Sequence, residues 1–360
     1  MTIDISGAPA WARRYRATGY PAFAYAADLI ALALSGRGDG LEVMVEERGE
    51  GGPFPGERAL PGRFVDQGAD RDAEAAARRE LEAALGVSEP SYVEALRVYD
   101  ENGRDPRQYA FQLDDGGGVE LVGVRVVSSA FVALLVGDEP ATGAADMGRR
   151  ARPSDAYAYL PWEDLRSREG RAIREAMVEE LRRWAGRRSD RLSRIGWAWG
   201  WVVDEWNEER ARDRLELLMA AGLVEEARRD RWGVVHAGAP SLEAGRAMAF
   251  DHRLMLADGI GRLRGKCKYV PAVLAALMRE LFTVSQLQAG VEAVLGRPLV
   301  RQNFRRTLEE VHELLEATEF TAKAEGAGRP PRLYRFREGA ALMRLDPSIR
   351  MPFVALELEP

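Results

Sequence analysis

The pattern of apolar and polar positions changes twice along the chain. AYAADLIALAL (residues 24–34) is an almost unbroken apolar run that reads as a buried strand. The turn SGRGDG follows, and then LEVMVEER (41–48), where apolar and polar positions alternate, so the pair predicts a hairpin. After the Gly/Pro-rich loop GEGGPFPGERALPGRF, the spacing predicts a helix from about Asp72 to Leu85, opened by acidic residues and stopped by Gly86. SYVEALRVYDE, RQYAFQL and VELVGVRVVSSAFVALLVG read as further strands, the last being two strands or one that passes into the core. Mixed strands around one amphipathic helix predict an α/β sandwich over residues 1–165, with LPWEDL (160–165) as its exit.

Residues 166–261 turn mostly helical and read as an insert or linker. Ile173, Met177, Leu181 and Trp184 fall on one helical face. IGWAWGWVVDEW then places four of the eight tryptophans within residues 197–206, as core, as a dimer contact or as an aromatic ligand pocket. RDRLELLMAAGLVEEARRDRWGVVH reads as a helix, a stop at Gly222 and a short hairpin.

Residues 262–345 carry a third pattern, with a tail at 346–360. PAVLAALMREL (271–281) predicts a helix, FTVSQLQAGVEAVLG a second with Thr283 or Ser285 as N-cap, and RPLVRQNFRRTLEEVHELLEAT a third. The short turn from Gly296 to Leu299 makes the last two a helix-turn-helix, and the two arms of EFTAKAEGAGRPPRLYRFRE make a β-wing. In the third helix Arg301, Gln302, Asn303, Arg305 and Arg306 are available to base edges and phosphates, while Phe304, Leu308, Val311, Leu314 and Leu315 have the spacing of a packed side. In the wing, Arg329, Arg332, Arg335 and Arg337 can reach phosphates or a minor groove. Winged helices also serve as protein-binding modules, so the partner is duplex DNA or a protein.

Charge sharpens this division. Between Arg262 and Arg337 there are 14 Lys/Arg against 8 Asp/Glu, a balance of +6 in a chain whose formal net charge is −6. A basic C-terminal module on an acidic body has the electrostatic outline of a DNA-binding domain. With 46% hydrophobic and 30% charged residues, and no apolar run near the ~20 residues of a membrane span, a soluble protein without a membrane is expected. MTIDISGAPAWARRYR has no apolar signal core, and a lone Cys267 beside three scattered histidines offers neither an internal disulfide nor a zinc site. A cytoplasmic location is expected.

Residues 60–87, LPGRFVDQGADRDAEAAARRELEAALGV, resemble a Nudix box, in which a glycine turn precedes a helix bearing Arg-Glu-hydrophobic-x-Glu-Glu-x-Gly-hydrophobic. Arg79, Glu80, Leu81, Gly86 and Val87 keep that skeleton, but Ala83 and Ala84 replace the paired glutamates. In the family those glutamates hold Mg²⁺, a hard cation that needs converging oxygen ligands. Arg63 also replaces a glycine, Ala69 sits near the loop acid, and the spacing to Arg79 is two residues longer than usual. No metal, no resident cofactor and no catalytic residue are therefore expected. The alternative is a residual hydrolase, acting on ADP-ribose or another nucleoside diphosphate, that recruits Glu80, Glu82 or Asp66.

ALPGRFV, RELEAALG, AFDHRLMLADGIGRLRGKCKY (249–269), FTVSQLQ, AVLGRPLVRQNFRR and GRPPRLYRF together resemble the Nudix-related transcriptional regulators of NAD metabolism, the NrtR-like proteins. The resemblance covers roughly residues 20–160 and 242–340. It implies a homodimeric repressor whose catalytically degenerate Nudix domain senses ADP-ribose or a related NAD-derived nucleotide and whose winged helices bind operator DNA near NAD biosynthesis or salvage genes. Candidate ligand contacts are Arg48, Arg63, Phe64, Arg79 and Glu80. Arg79 either meets the ligand or ties the loop to the helix.

Overall fold

Strand β1 (Phe23–Leu34) is buried over its last nine residues and pairs in parallel with β8 (Arg125–Leu135), from Phe23 opposite Arg125 to Ala33 opposite Leu135. The computed structural model describes residues 22–113, 119–136, 151–201, 205–235, 244–310, 314–323 and 330–339. A central parallel pair covered on both faces explains why both runs are so apolar. The neighbours are antiparallel. β2 (Leu41–Glu47) returns on β1, β4 (Gly62–Phe64) pairs with the opposite end of β1, β5 (Tyr92–Tyr99) lies on β8, and β3 (Arg58–Ala59) and β9 (Arg152–Asp155) flank β2.

Alternate residues of β1 enter two different cores, as strand geometry requires. Ala27, Leu29, Ala31 and Ala33 face α1 (Ala73–Leu85), packing with Ala76, Ala77, Leu81, Ala84 and Leu85. Asp72 caps α1 by accepting from Ala75 N at 2.8 Å, and Gly86, at φ 73°, ends it. Ile30, Leu32 and Leu34 enter the larger core on the other face. The strand read in RQYAFQL is in part a 3₁₀ turn, Pro106–Tyr109, because Asp105 caps the Arg107 N–H; only β6 (Phe111–Leu113) is extended. The long apolar run divides into β7 (Val119–Leu121) and β8 around Gly123, whose backbone lies against the Arg107 and Gln108 carbonyls with no room for a Cβ.

The helical region consists of α2 (Arg168–Ala185), α3 (Ser189–Trp199) and α4 (Ala211–Ala220), followed by α5 (His252–Cys267). Among the described residues it has no separate core. Met177, Leu181, Ile195, Trp199, Trp206 and Leu215 join the larger core of the sheet and of the C-terminal helices. Of the clustered tryptophans, Trp199 and Trp206 are buried and stack in series with Trp162, with ring centroids 6.0 and 6.1 Å apart, while Trp197 and Trp201 are exposed. α5 runs unbroken through the expected boundary at 261/262, and most of its residues are buried, so that boundary falls within one rigid element.

Beyond it lie α6 (Pro271–Leu277), α7 (Val284–Leu295), α8 (Arg301–Glu310), β10 (Leu315–Thr321) and β11 (Arg332–Phe336). α6 is four residues shorter than its spacing predicted. Met278 turns extended, and the chain reaches Phe282, whose backbone pairs with Tyr334 of the wing in both directions, at 3.0 and 2.8 Å. Leu315 opens a wing strand instead of continuing the helix from Val300, since an apolar pair such as Leu314-Leu315 fits either period. Val311 lies outside the described residues.

Candidate functional site

The Nudix-box helix and its loop are held by two ion pairs. Arg79 donates to Asp70 at 2.5 Å, and Asp70 also accepts from the Asp66 N–H at 2.7 Å, which together with Arg79 holds its carboxyl below the usual range. Arg79 therefore ties the loop to the helix, and the loop acid is Asp70, one residue past the expected Ala69. Arg63 and the buried Glu80 stand 3.6 Å apart. Asp66 accepts from the N–H groups of Gly68 and Ala69 and so shapes the loop. Glu82 and Ala83 are exposed, and Ala84 is packed beneath the sheet. Glu80 and Glu82 diverge around the helix, so these donors do not fit a divalent ion that needs converging oxygens.

The five ligand candidates divide between two faces. Arg63 and Phe64 are consecutive on a strand and point apart. Arg63, Arg79 and Glu80 lie on the α1 side, whereas Phe64 meets residues of the opposite side. There the Arg107 guanidinium lies 4.9 Å from the Phe64 ring centroid and 5.3 Å from that of Phe250, and Arg48 lies 5.2 Å from Phe250. Asp105 fixes Arg107 through both its oxygens. Phe250 and Phe54 adopt left-handed backbones, φ 56° and 61°, and their rings meet edge to face at 4.9 Å. Such conformations cost of order 1–3 kcal/mol each and persist where the surroundings over-determine them, as at ligand sites.

Beneath these rings lies a polar layer. Arg104 grips Asp251 at 2.8 and 2.6 Å, and Ser128 donates to the buried Asp28, whose pKa burial raises. His252 Nδ1 accepts from the Leu60 N–H at 2.9 Å, and burial pushes the imidazole down to about 3, so it is neutral. A Cβ at Gly62 would run into the Asp28 carboxylate, so any other residue there forces the buried acid to move. Arginines interleaved with aromatic faces suit an anionic ligand that carries a planar ring. Motif reading missed Arg104, Arg107 and Phe250. The one signal for them was the aromatic and charged start of AFDHRLM, since Arg104 and Arg107 lie in a loop without periodicity.

In the C-terminal unit a capping box between Thr283 and Gln286 starts α7, and Gly296, at φ 68°, ends it. Glu292 accepts from the Leu299 N–H at 2.9 Å and Gln288 donates to the Leu299 carbonyl at 3.0 Å, which fixes the turn into α8. Phe304 is buried. Arg301, Gln302, Arg305 and Arg306 are exposed, and Asn303 is half-buried at their edge. In the wing Arg332 is exposed, and Arg335 is exposed but paired with Glu316 at 3.1 Å. Arg329 lies outside the described residues.

The exit from the sheet domain, α4 and α5 meet at Glu163. Its carboxylate is fully buried and accepts from Arg214 at 2.6 and 2.7 Å and from Arg264 at 2.5 Å. Burial alone would raise its pKa; these arginines hold it below the ordinary value. Arg264 also donates to the Val294 carbonyl at 3.0 Å and Tyr157 to the Ala293 carbonyl at 2.6 Å, both in the last turn of α7, and Leu165 N donates to the Gly296 carbonyl at 2.6 Å.

Fold and site thus define a Nudix-type α/β domain, with alanines at 83 and 84 of its helix, joined through helices to a winged helix-turn-helix. Residues 274–336 match the family model of the NrtR DNA-binding winged helix domain. A stretch of 90 residues is 39% identical to the ADPR responsive transcriptional repressor NtrR of Acinetobacter baylyi, covering 25% of this chain and 34% of that protein. The aligned region thus spans about a third of that relative. The crystal structure of Shewanella oneidensis NrtR complexed with a 27mer DNA superposes over 89% of this chain and 96% of that one, with a TM-score of 0.50 and 19% identity. The NUDIX domain of the same protein, complexed with ADP ribose, aligns with 40% of this chain and 77% of that one at 23% identity and a TM-score of 0.28. The chain is NrtR-like in fold, and its winged helix is of the NrtR type.

Proposed function

We propose that this protein is a ligand-responsive transcriptional repressor that binds operator DNA through α8 and the wing and senses ADP-ribose, or a related NAD-derived nucleotide, in its Nudix-like domain. The observation that carries the reading is the exposed set Arg301, Gln302, Arg305 and Arg306 on a helix docked by Phe304, within a segment that matches an NrtR DNA-binding domain. Side chains of this kind reach base edges and phosphates in a major groove. The effector class comes from the Acinetobacter relative, whose name describes an ADPR-responsive repressor, and it fits the interleaved arginines and phenylalanines around Arg107. The protein works as a homodimer on a palindromic site, and its targets are genes of NAD biosynthesis or salvage.

Hydrolysis is not part of this function, because the donors around Glu80 do not converge on a metal. A thermal-shift series with ADP-ribose, NAD, nicotinamide mononucleotide and ATP tests the sensor, since a ligand of the folded state raises the midpoint. ADP-ribose or a close relative is expected to do so; no shift with any of the four removes the effector from the account. Turnover of ADP-ribose with Mg²⁺ or Mn²⁺ that is abolished by Glu80→Gln would establish the hydrolase instead.

A further inference from the structure

A cleft of about 240 Å³ lies beside the Phe54–Phe250 pair, between the 101–106 loop, α4 and the start of α5. Part of its wall belongs to the helical insert, through Leu215, Met219, Arg229 and Gly233. Phe54 and Phe250, the two non-glycine residues with left-handed backbones among the described residues, both line it. Strain concentrated at one cavity is a signature of a built site.

The lining chemistry narrows the occupant. Three arginines and four carboxylates line the cleft alongside apolar Leu215 and Met219, so its charge is close to balanced. That is a poor cradle for phosphates and a good one for a neutral planar ring whose edge both donates and accepts hydrogen bonds. Asn102 and Glu101 supply edge partners. Arg229 is almost wholly buried. It donates to Glu57 at 2.5 Å and to the Met248 carbonyl at 2.7 Å, and its guanidinium lies 4.9 Å from the Phe54 ring centroid, which fixes this wall of the cleft. Phe250 stands at the junction, with the cleft to one side and the Arg48 and Arg107 guanidinium groups against its ring.

We propose that this cleft takes the nucleobase of the effector while Arg48 and Arg107 take its phosphates, so that the insert is one wall of the sensing site. The ligand class rests on the regulator reading above; the placement rests on the cleft. A base held there bears on Asp251, the N-cap of α5, and α5 ends beyond Arg264, which holds the last turn of α7. The insert and α5 therefore lie between ligand and DNA.

Calorimetric titration of the full chain tests this with three probes: ADP-ribose, AMP, and ribose 5-phosphate, which has no base. Met219→Trp fills the cleft from the insert side and Asn102→Trp fills it from an exposed loop where folding is not at stake. Each is expected to weaken ADP-ribose and AMP by about tenfold or more and to leave ribose 5-phosphate unchanged. If ADP-ribose binds both variants as tightly as wild type, the base lies elsewhere and the proposal is overturned, while the sensor reading stands. If neither nucleotide binds the wild-type protein, both fall together.

Discussion

Arg264 Nε and the Val294 carbonyl meet at 3.0 Å, joining α5 to the first helix of the helix-turn-helix. Glu163 makes this arrangement possible, since a buried arginine needs a buried partner, and here one carboxylate serves Arg264 and Arg214. Glu163→Gln strands two cations in the core. Breaking a buried pair in this way costs about 3–5 kcal/mol, so chemical denaturation should show a loss of that order; a variant as stable as wild type would remove Glu163 from the centre of the fold.

Gly296 lies where that network meets the helix-turn-helix. Its left-handed backbone and the Glu163 carbonyl, 2.1 Å from the site of a Cβ, leave no room for alanine. Gly296→Ala should destabilise by more than about 1 kcal/mol and should weaken DNA binding beyond what the stability loss explains. Unchanged melting would show that the turn can shift freely.

His252 provides a pH test. Its pKa falls from an ordinary 6.5 to about 3 in the fold, so the unfolded chain takes up a proton that the folded chain refuses. The stability contributed by neutral His252 is complete above pH 6.5 and is lost as pH falls toward 3. Protonation would also end the bond from Leu60 N. His252→Asn, which keeps an acceptor in that place, should flatten the decline in unfolding free energy between pH 6.5 and 3; an identical slope in both proteins would show that other groups carry it.

Asp70 and Arg79 should behave as one unit. Asp70→Asn and Arg79→Met each lower the melting temperature, the double variant falls by less than the sum, and ADP-ribose affinity stays near wild type. Loss of ligand binding in Arg79→Met without a change in melting would make Arg79 a ligand contact instead.

Much of the fold was legible because period and punctuation are local. The apolar run at 24–34, the cap at Asp72 and the stop at Gly86 predicted β1 and α1 closely, and the exposed face of α8 follows directly from helical spacing. The candidate site was harder, since its parts come together only in three dimensions. Arg63 and Phe64 look like one cluster in sequence and lie on opposite faces of a strand. Glu163, Arg214 and Arg264 are 50 or more positions apart, and LPWEDL reads as a mere exit. No periodicity marks Phe54 and Phe250, whose backbones depend on tertiary packing.

DNA binding by α8 under nucleotide control is the function on which the other proposed roles depend. Fluorescence anisotropy of labelled duplexes from the upstream regions of NAD biosynthesis and salvage genes, titrated with the full chain across a salt series, tests it most directly. The expected result is saturable binding that weakens steeply with salt, shifts with ADP-ribose, and loses about 1–3 kcal/mol in Arg305→Ala or Arg306→Ala where the arginine reads a base. Binding indifferent to both substitutions and to ADP-ribose, or no binding to any such duplex, would contradict the account.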